Sequence, residues 1–266
     1  MSLENIERWI GQSAMSDPGR HKAAVAELPS SVAALNGVVQ GLIIHTEWLS
    51  AYGVDESQFE RVSRETVPVA ERLALILDSD PRPLHLRRPP ARRSVGTCRD
   101  FAILLCGLLR SKGIPARLRC GFADYLNDGW EDHWVCEYWD QASQRWRLSD
   151  SQIDEVLKEK CEVKFNPTDV PRHQFMTAGQ AWTACRASKY DPARFGHGAT
   201  KGLWFIKVNV FRDHYAINNR ETSPWDSWRS ASMSQRRVSD RDVAVMDNIA
   251  ACPLGPIVEI DPDWLT

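Results

Sequence analysis

The stretch Ser94-Val95-Gly96-Thr97-Cys98-Arg99-Asp100-Phe101-Ala102-Ile103-Leu104-Leu105-Cys106-Gly107-Leu108-Leu109-Arg110-Ser111-Lys112-Gly113-Ile114-Pro115 carries the clearest helical signal in the chain. Phe101, Leu104, Leu105, Leu108 and Leu109 stand at offsets 0, 3, 4, 7 and 8, which lays them along one face of a helix. The spacing predicts a helix from about Cys98 to Lys112, with Gly113 where a left-handed cap is expected. Cys98 opens this helix, at the positive end of the macrodipole and beside N–H groups that lack an intrahelical partner. Such a setting favours the thiolate, and the same N–H groups can stabilise an oxyanion on an attacked carbonyl.

Three strand-like runs follow Ile114-Pro115: Ala116–Ala123, His133–Trp139 and Arg145–Ser149. They are punctuated by Asn127-Asp128-Gly129 and by Asp140-Gln141-Ala142-Ser143, so an antiparallel meander is expected after the helix. Facing residues in an antiparallel pair share a constant index sum. A turn centred between Gln141 and Ala142 sets that sum at 283, the value for His133 and Asp150, which are therefore expected opposite each other or about one step apart. A carboxylate so placed fixes the imidazole tautomer and steadies the imidazolium. Taken singly, a cysteine at a helix start, a histidine beside Asp132 and an aspartate at a strand end are ordinary features. Their joint arrangement points to a thiol nucleophile with its base and orienting carboxylate.

The rest of the chain bounds this reading. Its 266 residues are 43% hydrophobic and 26% charged, enough for one sizeable core or two modest ones, which excludes a disordered or collagenous protein. Thirty-three basic against thirty-five acidic side chains leave no global positive field for nucleic acid or an anionic membrane. No run approaches the ~18 apolar residues of a membrane helix, and Met1–Gly11 lacks the basic-then-apolar order of a secretion signal, so a cytoplasmic location is expected. Seven cysteines without a C-x-x-C suggest neither a disulfide framework nor a zinc site, and most are expected reduced and buried. Eleven tryptophans, several between 130 and 146, suggest a dense aromatic core or an aromatic-walled cleft.

Helical patterns are expected over Val32–Tyr52 and from about Phe59 to Leu77, giving a helical N-terminal region over 1–80. Asp80–Arg93, with four prolines and five arginines, is expected to be an exposed loop, either a solvated basic connector or a carboxylate or phosphate site. Further on, Ile153–Glu162 and Thr177–Ser188 are candidate helices, Leu203–Asp213 is open between strand and helix, and Ser239–Ala251 is a candidate helix. Asp213-His214 offers an alternative histidine–carboxylate pair, and Gly196-His197-Gly198 reads as a loop tip. No repeat or low-complexity linker interrupts the chain, so 1–266 is expected to form a single compact unit in which 156–266 packs on a core at 94–155.

Val95-Gly96-Thr97-Cys98-Arg99-Asp100-Phe101, Leu108-Leu109-Arg110-Ser111-Lys112-Gly113-Ile114-Pro115-Ala116-Arg117, Asp132-His133-Trp134-Val135 and Leu148-Ser149-Asp150 together resemble the core of the transglutaminase-like superfamily. The resemblance covers roughly residues 94–155 and implies an α+β, papain-related fold. It implies Cys98 as nucleophile, His133 as general base and acid, and Asp150 as orienting carboxylate. The flanks resemble bacterial members of unassigned activity, and no functional residue is carried over from them. Trp130, Trp134, Arg92 and Arg93 are candidate substrate-binding residues. A cysteine hydrolase acting on a small or peptide-like amide is the leading expectation, with no metal or organic cofactor. An acyltransferase passing the acyl group to an amine, or a non-catalytic binding or scaffolding protein on the same fold, are the alternatives.

Overall fold

The computed structural model describes residues 6–60, 62–233 and 236–259, so the parts of the expectations that fall on 1–5, 61, 234–235 and 260–266 lie outside the described residues. The fold is α+β and divides into two compact units, Met1–Leu118 with Val135–Pro171, and Arg119–Trp134 with Arg172–Thr266. The sequence pattern suggests one unit because no linker composition interrupts it. The divisions fall instead inside two strands, where composition does not change, and residues 119–134 of the expected core group with the C-terminal part.

In the first unit the helices are α1 (Lys22–Ala26), α2 (Val32–Leu42), α3 (Val69–Ser79), α4 (Cys98–Ser111) and α5 (Glu155–Lys160). Short strands β1 (Ile43–His45) and β2 (Ser94–Gly96) pair in parallel, with Ile44 facing Val95 and His45 facing Gly96. Ser31 caps α2 through its side-chain oxygen. The expected single helix over Val32–Tyr52 ends ten residues early. β-branched Ile43 and Ile44 take the extended conformation and are buried in the ladder to β2, after which Thr46–Tyr52 forms a 3-10 segment. Likewise α3 starts at Val69 rather than near Phe59, because Pro68 disfavours helical geometry in the residue before it.

Helix α4 is buried from Arg99 through Arg110 and packs against α2. Its end satisfies the last carbonyls through a Schellman arrangement: Gly113 N–H donates to Arg110 O at 3.0 Å and Ile114 N–H to Leu109 O at 3.0 Å. Gly113 has φ +72°, a conformation that costs glycine nothing. The chain then enters β3 (Ala116–Ala123), β4 (Trp130–Asp140) and β5 (Arg145–Ser149). Within this unit β4 and β5 pair antiparallel, Cys136 facing Ser149 and Asp140 facing Arg145, an index sum of 285 rather than 283.

The arginine-rich segment is not simply an exposed connector. Arg88 is fully buried, and its guanidinium donates to the carbonyls of Pro83, Leu86, Asp80 and Arg82, so the loop is wrapped around its own cation. Arg93 is also buried, while Arg82, Arg87 and Arg92 are exposed.

In the second unit the later half of β3 pairs antiparallel with β6 (Phe175–Thr177), and the start of β4 pairs parallel with β7 (Phe195–His197), itself antiparallel to β8 (Thr200–Lys201). The helices are α6 (Ala178–Arg186), α7 (Leu203–Ile217) and α8 (Asp240–Ala251). The open choice at Leu203 resolves as helix, and α7 is buried continuously from Phe205 to Ile217, which explains why its sequence carries no amphipathic period. Phe122, Trp130, Trp182, Phe195, Phe205, Phe211 and Trp228 form an aromatic core. Trp182 satisfies its indole N–H on Asp247 Oδ1 at 2.7 Å.

Candidate active site

Cys98 is the first residue of α4 and is half-buried. The turn that presents it is held by one carboxylate. Asp100 Oδ2 accepts from the Thr97 backbone N–H at 2.8 Å and from the Thr97 hydroxyl at 3.2 Å, while Oδ1 accepts from Arg72 Nη2 at 2.7 Å. Arg72, from α3, also donates through Nη1 to Ser94 Oγ and Val95 O, both at 2.8 Å, so it clasps β2 and the start of α4 together. A Cβ at Gly96 would lie 2.9 Å from both Cβ and Oδ2 of Asp100, which is why glycine stands two residues before the cysteine. An acidic side chain in the first turn caps the helix, and the guanidinium on its other oxygen offsets a charge that would otherwise oppose a thiolate.

Asp150, in the same unit, is 1% exposed and follows the last residue of β5. Its Oδ1 accepts from Gln152 N–H at 3.0 Å, and its own N–H donates to Pro167 O at 2.8 Å. Both neighbours are anchored: Ser149 Oγ accepts from Asn36 Nδ2 at 2.9 Å, and Ser151 Oγ donates to Phe101 O at 3.1 Å. The last bond ties the first turn of the Cys98 helix to the residue next to Asp150.

His133 belongs to the second unit, on β4, and is 1% exposed with its ring edge-on to Tyr125 at 6.0 Å. Adjacent Asp132 accepts from Asn209 Nδ2 at 2.7 Å and lies 3.6 Å from the Arg212 guanidinium, so its charge is taken up by α7. Trp134 is buried under the Arg212 guanidinium at 5.0 Å, and Trp130 is stacked on Phe195 at 5.6 Å within the aromatic core. Arg92 and Arg93, together with Arg72, line a cavity of about 170 Å3 in the first unit. Arg93 donates to Arg88 O at 3.1 Å and lies over the Tyr52 ring at 5.4 Å. Cys98, Asp150, Arg92 and Arg93 therefore share one unit, and His133, Trp130 and Trp134 the other.

The other histidine–carboxylate candidate is structural: Asp213 accepts from Arg119 and from Cys120 N–H, while His214 accepts from Val258 N–H at Nε2. Burial pushes the thiols of Cys136, Cys161 and Cys185 up, that of Cys185 to about 11, so these sulfurs are poor nucleophiles at neutral pH. Sequence reasoning missed Arg72 and Asp100. The Thr97-x-x-Asp100 capping pattern was a legible signal for the second, whereas nothing in the sequence marks Arg72 as its partner.

Residues 79–151 match the family model of the transglutaminase-like superfamily. A solved structure from Cytophaga hutchinsonii, provisionally named a cysteine protease, aligns at 17% identity and a TM-score of 0.37 over 57% of this chain and 43% of that protein, so the match spans less than half of its length. No curated protein matches the sequence. Among the described residues no helix is long and apolar enough to cross a membrane.

Proposed function

Taking residues 79–151 as a transglutaminase-like core, we propose that the protein is a cysteine-dependent acyl-transfer enzyme that hydrolyses an amide or peptide-like bond. Cys98 is the nucleophile, His133 the general base and acid, and Asp150 the carboxylate that orients the imidazole. His133 takes the thiol proton as the sulfur adds to the acyl carbon, and returns it to the nitrogen as the C–N bond breaks. Water, deprotonated by the same imidazole, then adds to the thioester, releasing the acid and restoring the thiol. The Cys98 backbone N–H, at the start of α4, would hold the oxyanion at each addition. Arg92 and Arg93 would meet a carboxylate on the substrate, and Trp130 and Trp134 would back the wall against which it packs.

The observation that carries this reading is the setting of Cys98: a half-buried sulfur at the first position of a buried helix, on a turn whose acidic cap is charge-compensated. Asp150 supports it by its placement one residue from the Ser151–Phe101 bond. His133 supports it by its position on β4, the strand whose later residues pair with β5.

Iodoacetamide labelling near neutral pH tests the reading, with exposed Cys252 as an internal reference. Cys98 is expected to react faster than Cys252 in the wild type and to lose that advantage in His133→Ala. Amide hydrolysis in a substrate panel is expected to vanish in Cys98→Ala. Labelling of Cys98 no faster than Cys252, and unchanged by His133→Ala, would rule the triad out.

A further inference from the structure

The second unit contains a cavity of about 480 Å3 that takes no part in the chemistry proposed above. It is walled by β3, α6, the middle of α7 and the end of α8, so it lies wholly within residues 119–134 and 172–259. Its size falls within the ~300–1,000 Å3 of small-molecule sites.

The chemistry of the lining is one-sided. Arg119, Arg172 and Lys189 contribute three cations, and Asp213 is the single carboxylate among the described lining residues. Asp213 is already engaged: Oδ1 accepts from Arg119 Nε at 2.9 Å and from the Cys120 N–H at 2.8 Å, and Oδ2 accepts from Arg119 Nη2 at 2.7 Å. Both partners are buried, Arg119 at 7% exposure, so this pair forms a fixed polar floor. Arg172 and Lys189 are exposed on the rim. Gln180 has its carbonyl oxygen committed to the Thr177 N–H at 2.9 Å, which leaves its amide NH2 as the group it can offer the cavity. The remaining lining is glycine, alanine, proline and threonine, small enough to leave the space open. A cavity with cations and an amide donor on its wall, and its one carboxylate already paired, accumulates local positive potential in a chain of net charge −2.

The geometry points to a binding site in this cavity for a small oxyanion-bearing molecule, a carboxylate or a phosphate. Arg172 and Lys189 grip the anion while the Arg119–Asp213 pair fixes the floor. Guanidinium matches either oxyanion in a two-pronged fashion, and the ammonium adds a point charge. The site is independent of Cys98 and stands or falls separately from the enzymatic reading.

Thermal unfolding at constant ionic strength tests it, with inorganic phosphate, citrate and chloride as the added anions. Phosphate or citrate at 10 mM is expected to raise Tm by roughly 3 °C if its Kd is about 1 mM. Phosphate alone acting identifies a phosphate site, and citrate alone a carboxylate site. In Arg172→Ala/Lys189→Ala the shift is expected to disappear while Tm in chloride and the circular dichroism spectrum stay at wild-type values, since both residues are exposed. Equal shifts in wild type and the double variant, or no shift with either anion, would overturn the site.

Discussion

Replacing Arg72 by methionine isolates the device that holds the Cys98 turn. Arg72 is 5% exposed and Asp100 1%, and their 2.7 Å contact is a buried ion pair. Arg72→Met keeps most of the aliphatic volume but removes three hydrogen bonds, to Asp100 Oδ1, Ser94 Oγ and Val95 O. The dominant cost is the carboxylate left buried without its partner, about 3–5 kcal/mol for such a break. Two orphaned neutral acceptors add to this, about 1 kcal/mol each. Arg72→Met/Asp100→Asn removes the charge while an amide oxygen can still accept from the Thr97 N–H, so the double variant is expected to recover at least 2 kcal/mol relative to Arg72→Met. Urea unfolding of wild type, both single variants and the double variant closes the thermodynamic cycle. The rate of Cys98 alkylation is expected to fall in Arg72→Met and to recover partly in the double variant, because the uncompensated charge stands within the first turn. A loss below 1 kcal/mol in Arg72→Met, or strict additivity in the cycle, would refute charge compensation as the reason for the pair.

Arg88→Leu strands four carbonyl acceptors inside the 80–93 loop, and a loss of about 2–4 kcal/mol is expected by urea unfolding, with limited proteolysis appearing first within that loop. Alkaline stability follows from the buried thiols. Cys185 keeps its proton up to about 11 in the folded chain against 9.0 ordinarily, so the folded state binds more protons in that window. The stabilising contribution is complete below about 9 and is lost as pH rises through about 11. Urea midpoints are therefore expected to fall between pH 8.5 and 10.5, and to fall less steeply in Cys185→Ala. Lys207, whose pKa burial lowers, acts in the opposite sense, and the comparison with the variant separates the two.

Where local chemistry decided local structure, the sequence was a good guide. The α4 boundaries, the cap at Gly113 and strands β3 and β5 follow from apolar period, a left-handed glycine and β-rich runs, all short-range signals. It failed where a distant segment overrode the local pattern. Ile43 and Ile44 continue the apolar period of α2, yet they are extended because residues 94–96 offer a parallel ladder fifty residues away. Arg88 reads as one more cation in a basic loop, and only the folded chain shows four carbonyls converging on it. The same limit hid Arg72, since a helix residue 28 positions upstream carries no mark of the carboxylate that it meets.

The hairpin between β4 and β5 shows which part of a strand register is legible in sequence. The expected turn centre, between Gln141 and Ala142, comes from the polar run that begins at Asp140. The observed loop is Gln141–Gln144, with Asp140 facing Arg145 and Gln144 at φ +52°. A non-glycine residue in that conformation gives no advance notice, so the sequence pattern puts the centre one residue early and the index sum two units low. Side chains alternate with a period of two, and a change of two in the sum alters every partner but moves no side chain to the other face. The observed register runs from Asp140 facing Arg145 to Cys136 facing Ser149. Faces are set by the hydrophobic alternation of each strand, which is dense in sequence; partners are set by one turn, which is not. Expectations about which side of a sheet bears a functional group are therefore sturdier than expectations about which residue stands across from it.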